Sequence, residues 1–198
     1  MRQPTLVLIS GYARAGKDTL ADGIIAGSSG SHRILRRNFA DSLKLAGNNF
    51  LSDVGLYVEN TVDFKCETFK VRHRDMLVAL GAGARSINAS VFADLFVNAC
   101  MEFEIESADE GKPPLVLCSD FRYLNELRIP QARLAGLGWR IITVMVETAG
   151  VIPANEEEGV SIGQIVREVP VDFSYAFRPN SGHKVYAEGK QLAGRLGV

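Results

Sequence analysis

LVLISGYARAGKDT, residues 6–19, is an apolar run that leads into Gly11, four further residues, then Gly16 and Lys17. Gly-x4-Gly-Lys between a strand and a helix is the skeleton of a phosphate-binding loop. Its glycines let the backbone turn tightly and bring N–H groups, from Ala13, Arg14 and Ala15 onward, against phosphate oxygens without a Cβ in the way. A helix beginning near Lys17 points its partly positive end at the same anion. The Lys17 ammonium reaches the terminal phosphates. A chance Gly-rich turn is the alternative, but the strand before and the helix after stand where the motif needs them.

One position departs from the common pattern. Ser or Thr usually follows the lysine and places its hydroxyl on Mg²⁺. Here Asp18 follows, then Thr19. Asp18 has three open roles: binding the metal directly, binding it through water, or capping the helix. Thr19 can hydrogen-bond a phosphate oxygen.

The 198 residues suit one domain with a sizeable core. A hydrophobic content of 46% and a charged content of 23% are those of a soluble globular protein. A net charge of −1 supplies no overall basic field for nucleic acid or anionic lipid, so any positive site must be local. Cys66, Cys100 and Cys118 are odd in number and lack CxxC spacing, which argues against a zinc site or a disulfide framework. Reduced thiols, the absence of a signal-peptide pattern and the lack of any ~20-residue apolar stretch set the expectation of a cytoplasmic protein without a membrane span.

Apolar runs alternate with helical patterns. Strands are expected over 6–9, 34–39, 115–118, 139–146 and 173–177. Helices are expected over 17–26, from Asp41 as N-cap through 51, and over 69–80, ended by Gly81-Ala82-Gly83. Further helices are expected over 90–105 (Val91, Leu95 and Phe96 on the buried side), 124–134 despite Pro130, and 184–196. Residues 53–66 read as loop. Residues 148–168 hold Gly, Pro, the acidic run Glu156-Glu157-Glu158 and a turn over 161–167, the composition of a mobile lid. This order argues for an α/β fold with a parallel five-stranded sheet covered by helices on both faces. The core would be 1–40 and 112–198, with a helical insert over about 41–111 and a lid over about 148–168. Ligands in such sheets bind beyond the carboxyl ends of the strands.

Those ends carry the candidates. After the second strand comes Phe39-Ala40-Asp41-Ser42-Leu43-Lys44, in which Asp41 suits a helix cap as well as a substrate contact. After the third comes Ser119-Asp120-Phe121-Arg122, then Asn125-Glu126. Asp120 can hold Mg²⁺ directly or through water, and the planar fork of Arg122 can bind an acceptor phosphate. A structural salt bridge around the strand end is the alternative. Glu126 is read as orienting an arginine. Arg72, Arg74 and Arg85 of the insert could neutralise a monophosphate, though the sequence does not say which face inward. Arg167, the basic residue of the lid, could close onto a transferring phosphoryl group, or lie on a helix surface. The acidic run is read as solvated.

Together these motifs resemble the deoxynucleoside monophosphate kinases of bacteriophages. The matching residues are Gly11 to Thr19 with Lys-Asp-Thr, Phe39-Ala-Asp-x-Leu-Lys44, Arg74-Asp-Met-Leu77 with Leu80-Gly81 and Arg85, and Ser119-Asp-x-Arg122 with Asn125-Glu126. They run in the family's order over roughly residues 5–180. Lys-Asp-Thr alone is shared with phosphomevalonate kinases. The His-x-Ser-Glu-like stretch of many relatives' lids is replaced by Glu157-Glu158-Gly159-Val160-Ser161.

The resemblance implies a nucleoside monophosphate kinase-like fold with a monophosphate-binding insert and a lid, and transfer of the γ-phosphoryl group of ATP to a dNMP. The cofactors would be ATP and Mg²⁺. Residues 11–19 would hold ATP, with Lys17 on its β- and γ-phosphates. Asp18, Thr19 and Asp120 would lie near the metal. Asp41, Lys44, Arg74, Arg85, Arg122 and Glu126 would lie toward the acceptor, and Lys17, Asp120, Arg122 and Arg167 would carry the chemistry. It further implies a homodimer and a viral origin, hence a host cytoplasm. Rival readings are a kinase of another small phosphorylated metabolite and a nucleotide-binding assembly protein without catalysis. A GTPase-like switch is disfavoured, because Asp-x-x-Gly and Asn-Lys-x-Asp are missing.

Overall fold

A computed structural model describes residues 3–198. Its elements, in chain order, are β1 (Thr5–Ser10), α1 (Lys17–Gly27), β2 (Arg33–Arg36), α2 (Ala40–Asp53), α3 (Glu67–Arg72), α4 (Arg74–Ile87), α5 (Val91–Ala108), β3 (Pro114–Phe121), α6 (Asn125–Leu134), β4 (Arg140–Thr148), α7 (Glu156–Glu168), β5 (Phe173–Phe177) and α8 (Gly182–Leu196). The five strands form one sheet in the order β2-β3-β1-β4-β5. Every neighbouring pair is parallel, with Thr5 opposite both Leu115 and Arg140 in the centre.

β1 is apolar throughout because both its faces are covered. Side chains alternate along a strand. Leu6 and Leu8 therefore join Val116 and Cys118 under α5, α6 and α7, where Phe96, Val97, Leu127 and Ile165 pack. Val7 and Ile9 join Leu117 and Val144 on the other face, under α1 and α8, with Leu20, Ile24, Val185 and Leu192. Helices α1 and α8 approach so closely that a Cβ on Gly23 would lie 2.3 Å from the Tyr186 carbonyl oxygen and 2.9 Å from the Gly189 Cα. A third, smaller cluster of Leu51, Phe64 and Leu77 holds α2 and α4 together away from the sheet. Among the described residues no single helix is long and apolar enough to cross a membrane.

The parallel five-stranded α/β fold is as expected; several local expectations are not met. β2 stops at Arg36, and Phe39 is the N-cap of α2, so Asp41 lies in the first helical turn. The expected 69–80 helix is two helices divided at His73, and α4 continues through Gly81 and Gly83 to Ile87. Gly81 does not stop α4 because it is a contact point: it is buried, and a Cβ there would lie 3.1 Å from Leu43 of α2. Helix α5 packs on the sheet, so the segment lying apart from it is α2 to α4. Leu95 is exposed; the buried face of α5 is Ala93, Phe96, Val97, Cys100 and Phe103. Residues 161–167 are helix, not turn.

Candidate functional site

The loop between β1 and α1 sits against the carboxyl ends of β3 and β4. Gly11 has φ 140°, and a Cβ there would fall 2.1 Å from the Val146 carbonyl oxygen of β4, so only glycine fits. Gly16, with φ 97°, is the N-cap of α1. Arg14 between them is also left-handed, with φ 66°, an uncommon conformation for a side-chain-bearing residue that the loop imposes. Ala15 N donates to Tyr12 O at 3.1 Å, and Thr148 Oγ1 of β4 donates to Ala15 O at 3.0 Å, which fixes the loop's shape.

Lys17 opens α1 and folds back over this loop. Its Nζ donates to Gly11 O and Tyr12 O, both at 2.7 Å, and the side chain is buried. Burial, reinforced by the nearby Arg122 charge, brings its pKa down to about 8. The ammonium is held close to the loop at reduced proton affinity, so an added anion there would gain a nearby, poorly solvated partner.

Asp18 Oδ1 accepts from Ser119 Oγ at 2.6 Å and from Arg36 of β2. Burial acts to raise its pKa, but the Ser119 hydroxyl and the Arg36 guanidinium outweigh that and hold it below the ordinary value. Arg36 also reaches Asp22, one turn further along α1. Ser119 N in turn donates to Asn38 Oδ1 at 2.9 Å. The ends of β2, β3 and α1 are therefore joined through Asp18. Thr19 is half-buried beside it.

Asp120 caps α2. Its Oδ1 accepts from Phe39 N and its Oδ2 from Ala40 N, each at 2.9 Å. Both oxygens expected to face a metal are thus engaged by backbone donors that α2 leaves unsatisfied. Asp41 Oδ2 adds a bond from Asn38 N at 2.8 Å, and its other oxygen pairs with Lys44 at 3.0 Å, so these two residues serve each other. Glu126 does not pair with an arginine side chain. Its Oε2 accepts from Arg122 N at 2.7 Å and Tyr123 N at 3.0 Å, at the start of α6. Burial, and then the neighbouring Asp120 charge, push its pKa up to about 8.

Arg122 pairs with a member of the acidic run that is expected to be solvated. Glu158 of α7 is buried; its Oε1 accepts from Ala13 N at 3.2 Å and forms an ion pair with Arg122 Nη2, also at 3.2 Å. Its Oε2 accepts from Ala154 N at 2.7 Å, while Glu158 N donates to Asn155 Oδ1 at 2.8 Å. The signal was present as Asn155-x-x-Glu158, the spacing of a capping box at a helix start. The adjacent Glu157 accepts from the Tyr123 hydroxyl, and Arg85 of α4 lies over the Tyr123 ring at 5.5 Å. Arg74, at the start of α4, is exposed. Arg167 is exposed in the last turn of α7, some 13 Å along the helix axis from Glu158. The structure brings neither of these two arginines to the loop.

Among the described residues no three His, Cys, Asp or Glu side chains converge on a metal position. Mg²⁺ in phosphate chemistry needs only one or two carboxylates, the phosphates and water supplying the rest. Asp18 fits that need: its side chain is 74% exposed and only Oδ1 is engaged. Beside the loop lies a cavity of about 380 Å³, bounded by Gly11, Tyr12, Thr148, Ile162, Val166 and Phe177 among others.

No protein-family model matches the chain, and no curated protein does. A solved structure does match: a crystal structure named "putative kinase", from Chloroflexus aurantiacus, is 15% identical, with a TM-score of 0.50. The match covers 100% of this chain and 98% of that one. At that identity the likeness shows the fold alone, an α/β arrangement around a parallel sheet.

Proposed function

We propose that this chain is an ATP-dependent phosphotransferase that passes the γ-phosphoryl group to the phosphate of a deoxynucleoside monophosphate, giving a dNDP and ADP. One observation supports the reading: the Lys17 ammonium lies on the Gly11 and Tyr12 carbonyls of the Gly-x4-Gly-Lys loop, and the Arg122 guanidinium pairs with Glu158, whose carboxylate also takes the Ala13 amide of that loop. Such transfer needs alignment and charge neutralisation more than covalent help. Lys17 and the loop amides from Arg14 onward would hold the β- and γ-phosphates of ATP, the Ala13 amide being taken by Glu158. Arg122, half-exposed at the end of β3, is the candidate to hold the acceptor phosphate in line. Its planar fork suits a dianion.

Mg²⁺, when bound, supplies charge neutralisation between the ATP phosphates, and Asp18 with Thr19 would hold it. Asp120 acts from a distance, by fixing the start of α2 against β3. Arg85, over the Tyr123 ring, would shape the acceptor side, with Asp41 and Lys44 at the head of α2. The cavity beside Gly11 and Phe177 suits a flat, weakly polar group such as the donor base. The choice of a deoxynucleotide acceptor rests on the sequence resemblance, as do the homodimer and the host-cytoplasm expectation.

The test is ADP formation from Mg-ATP against dGMP, dTMP, dCMP, dAMP, their ribose counterparts and phosphomevalonate. Turnover with a dNMP supports the reading. Turnover with phosphomevalonate alone moves the chain to another small-metabolite kinase class. ATP binding with no turnover on any acceptor removes the catalytic claim.

A further inference from the structure

Glu158 combines features that a helix cap alone does not need. A buried carboxylate is costly unless charge and hydrogen bonds compensate it. Here the compensation comes from three separate segments: Ala13 N of the phosphate loop, Arg122 after β3, and Ala154 N before α7. One oxygen, Oε1, accepts the loop amide and is also the partner of the guanidinium in the ion pair, so those two groups are held against a common point. Glu157 then grips the residue next to Arg122, Tyr123. Two consecutive acids at the start of α7 thus hold two consecutive residues of the β3–α6 connection.

We propose that Glu158 is a positioning residue that aims Arg122 and couples the seating of α7 to the shape of the phosphate loop. The proposal rests on the reading above in taking Arg122 to face a phosphate. With Oε2 anchored on Ala154 N and the backbone bonded to Asn155, the carboxylate has little rotamer freedom. It therefore acts as a fixed stop for the arginine, not as an anion that leaves when phosphate arrives. A displaced Glu158 would free Arg122, loosen the Ala13 amide and unseat the first turn of α7 together.

Two measurements on the full chain test this. The first is a double-mutant cycle on phosphoryl transfer with Glu158→Gln and Arg122→Ala. Each single variant is expected to raise the acceptor KM about tenfold with a smaller change in the ATP KM, and the double variant is expected to add little to either. Effects that multiply would overturn the coupling. An unchanged acceptor KM in Glu158→Gln, with only a lower Tm, would leave Glu158 as a plain helix cap.

The second measurement is hydrogen exchange without substrate, in wild type and Glu158→Gln. Faster exchange in both residues 11–16 and residues 153–160 is expected. Faster exchange confined to residues 153–160 would overturn the link to the loop. Exchange needs no turnover, so a wild type inactive on every acceptor would remove the proposed function while this arm still decides the role of Glu158.

Discussion

The Asp120 carboxylate holds Phe39 across the sheet end: Oδ1 accepts Phe39 N at 2.9 Å, and Oδ2 takes the next amide, Ala40 N. A β3 residue thereby supplies the cap that α2 does not find in its own sequence. Asp120→Ala should destabilise the fold by about 1–3 kcal/mol, and Asp120→Asn by less, since one acceptor oxygen survives. Thermal unfolding checks this, at about 2–4 °C per kcal/mol for a chain of this size. A variant that loses transfer with an unchanged Tm would instead return Asp120 to a direct role in the chemistry.

Lys17→Ala should reduce phosphoryl transfer by about 10²–10³-fold, the usual cost of removing a preorganised electrostatic contact. Initial rates with the acceptor identified in the panel decide it, and near wild-type transfer would remove the loop assignment.

Lys17 also predicts a pH dependence. Its pKa in the free protein is near 8, and a bound phosphate would favour the protonated form. Affinity for Mg-ATP should therefore fall as pH rises from about 7 to about 9.5, through loss of the ammonium proton. Calorimetric titration across that range checks it. An affinity that does not change would mean that the ammonium does not meet the nucleotide.

Glu126 shapes stability against pH in the opposite sense to a salt-bridged acid. Its carboxyl keeps a proton up to about 8 when folded, against an ordinary 4.5. Between those values the folded chain binds more protons than the unfolded one. Stability therefore falls as pH rises through that window and levels off above it. Glu126→Gln keeps an oxygen for Arg122 N and Tyr123 N and removes the titration. Its Tm should change less than that of wild type between pH 5 and pH 8, with each kcal/mol recovered worth about 2–4 °C.

Gly23→Ala should force α1 away from α8, because the new methyl would meet the Tyr186 carbonyl oxygen and the Gly189 Cα. Backbone atoms cannot yield as a side-chain end can. A loss of about 1–3 kcal/mol is expected, with weaker Mg-ATP binding because α1 begins at Lys17. Denaturant unfolding and nucleotide titration read the two effects separately.

Features written within one short stretch of sequence were legible. The 6–19 segment gave β1, the loop and α1 because its apolar run, glycines and lysine act on one another locally. Strand–helix alternation gave the parallel sheet for the same reason. What was missed depends on residues far apart in the chain. Asp120 reads as a metal ligand until α2 is brought to it, 81 residues earlier in sequence. Glu158 reads as one of three solvated acids until α7 is laid against Ala13, across 145 residues. The break at His73 and the run of α4 through Gly81 follow from packing on α2, which no local pattern announces.

Helix α1, which presents Lys17, ends at Gly27, whereas the helix that covers its apolar face, α8, begins only at Gly182. During synthesis Leu20 and Ile24 therefore leave the ribosome early and wait, uncovered, for nearly the whole sheet to follow. Long-range contacts of this kind form late and slowly. The loop of residues 11–16 is thus translated well before α8 and gains its full support only once α8 follows. A chain stalled before α8 would carry the motif intact and yet expose the apolar side of α1 to chaperones and proteases.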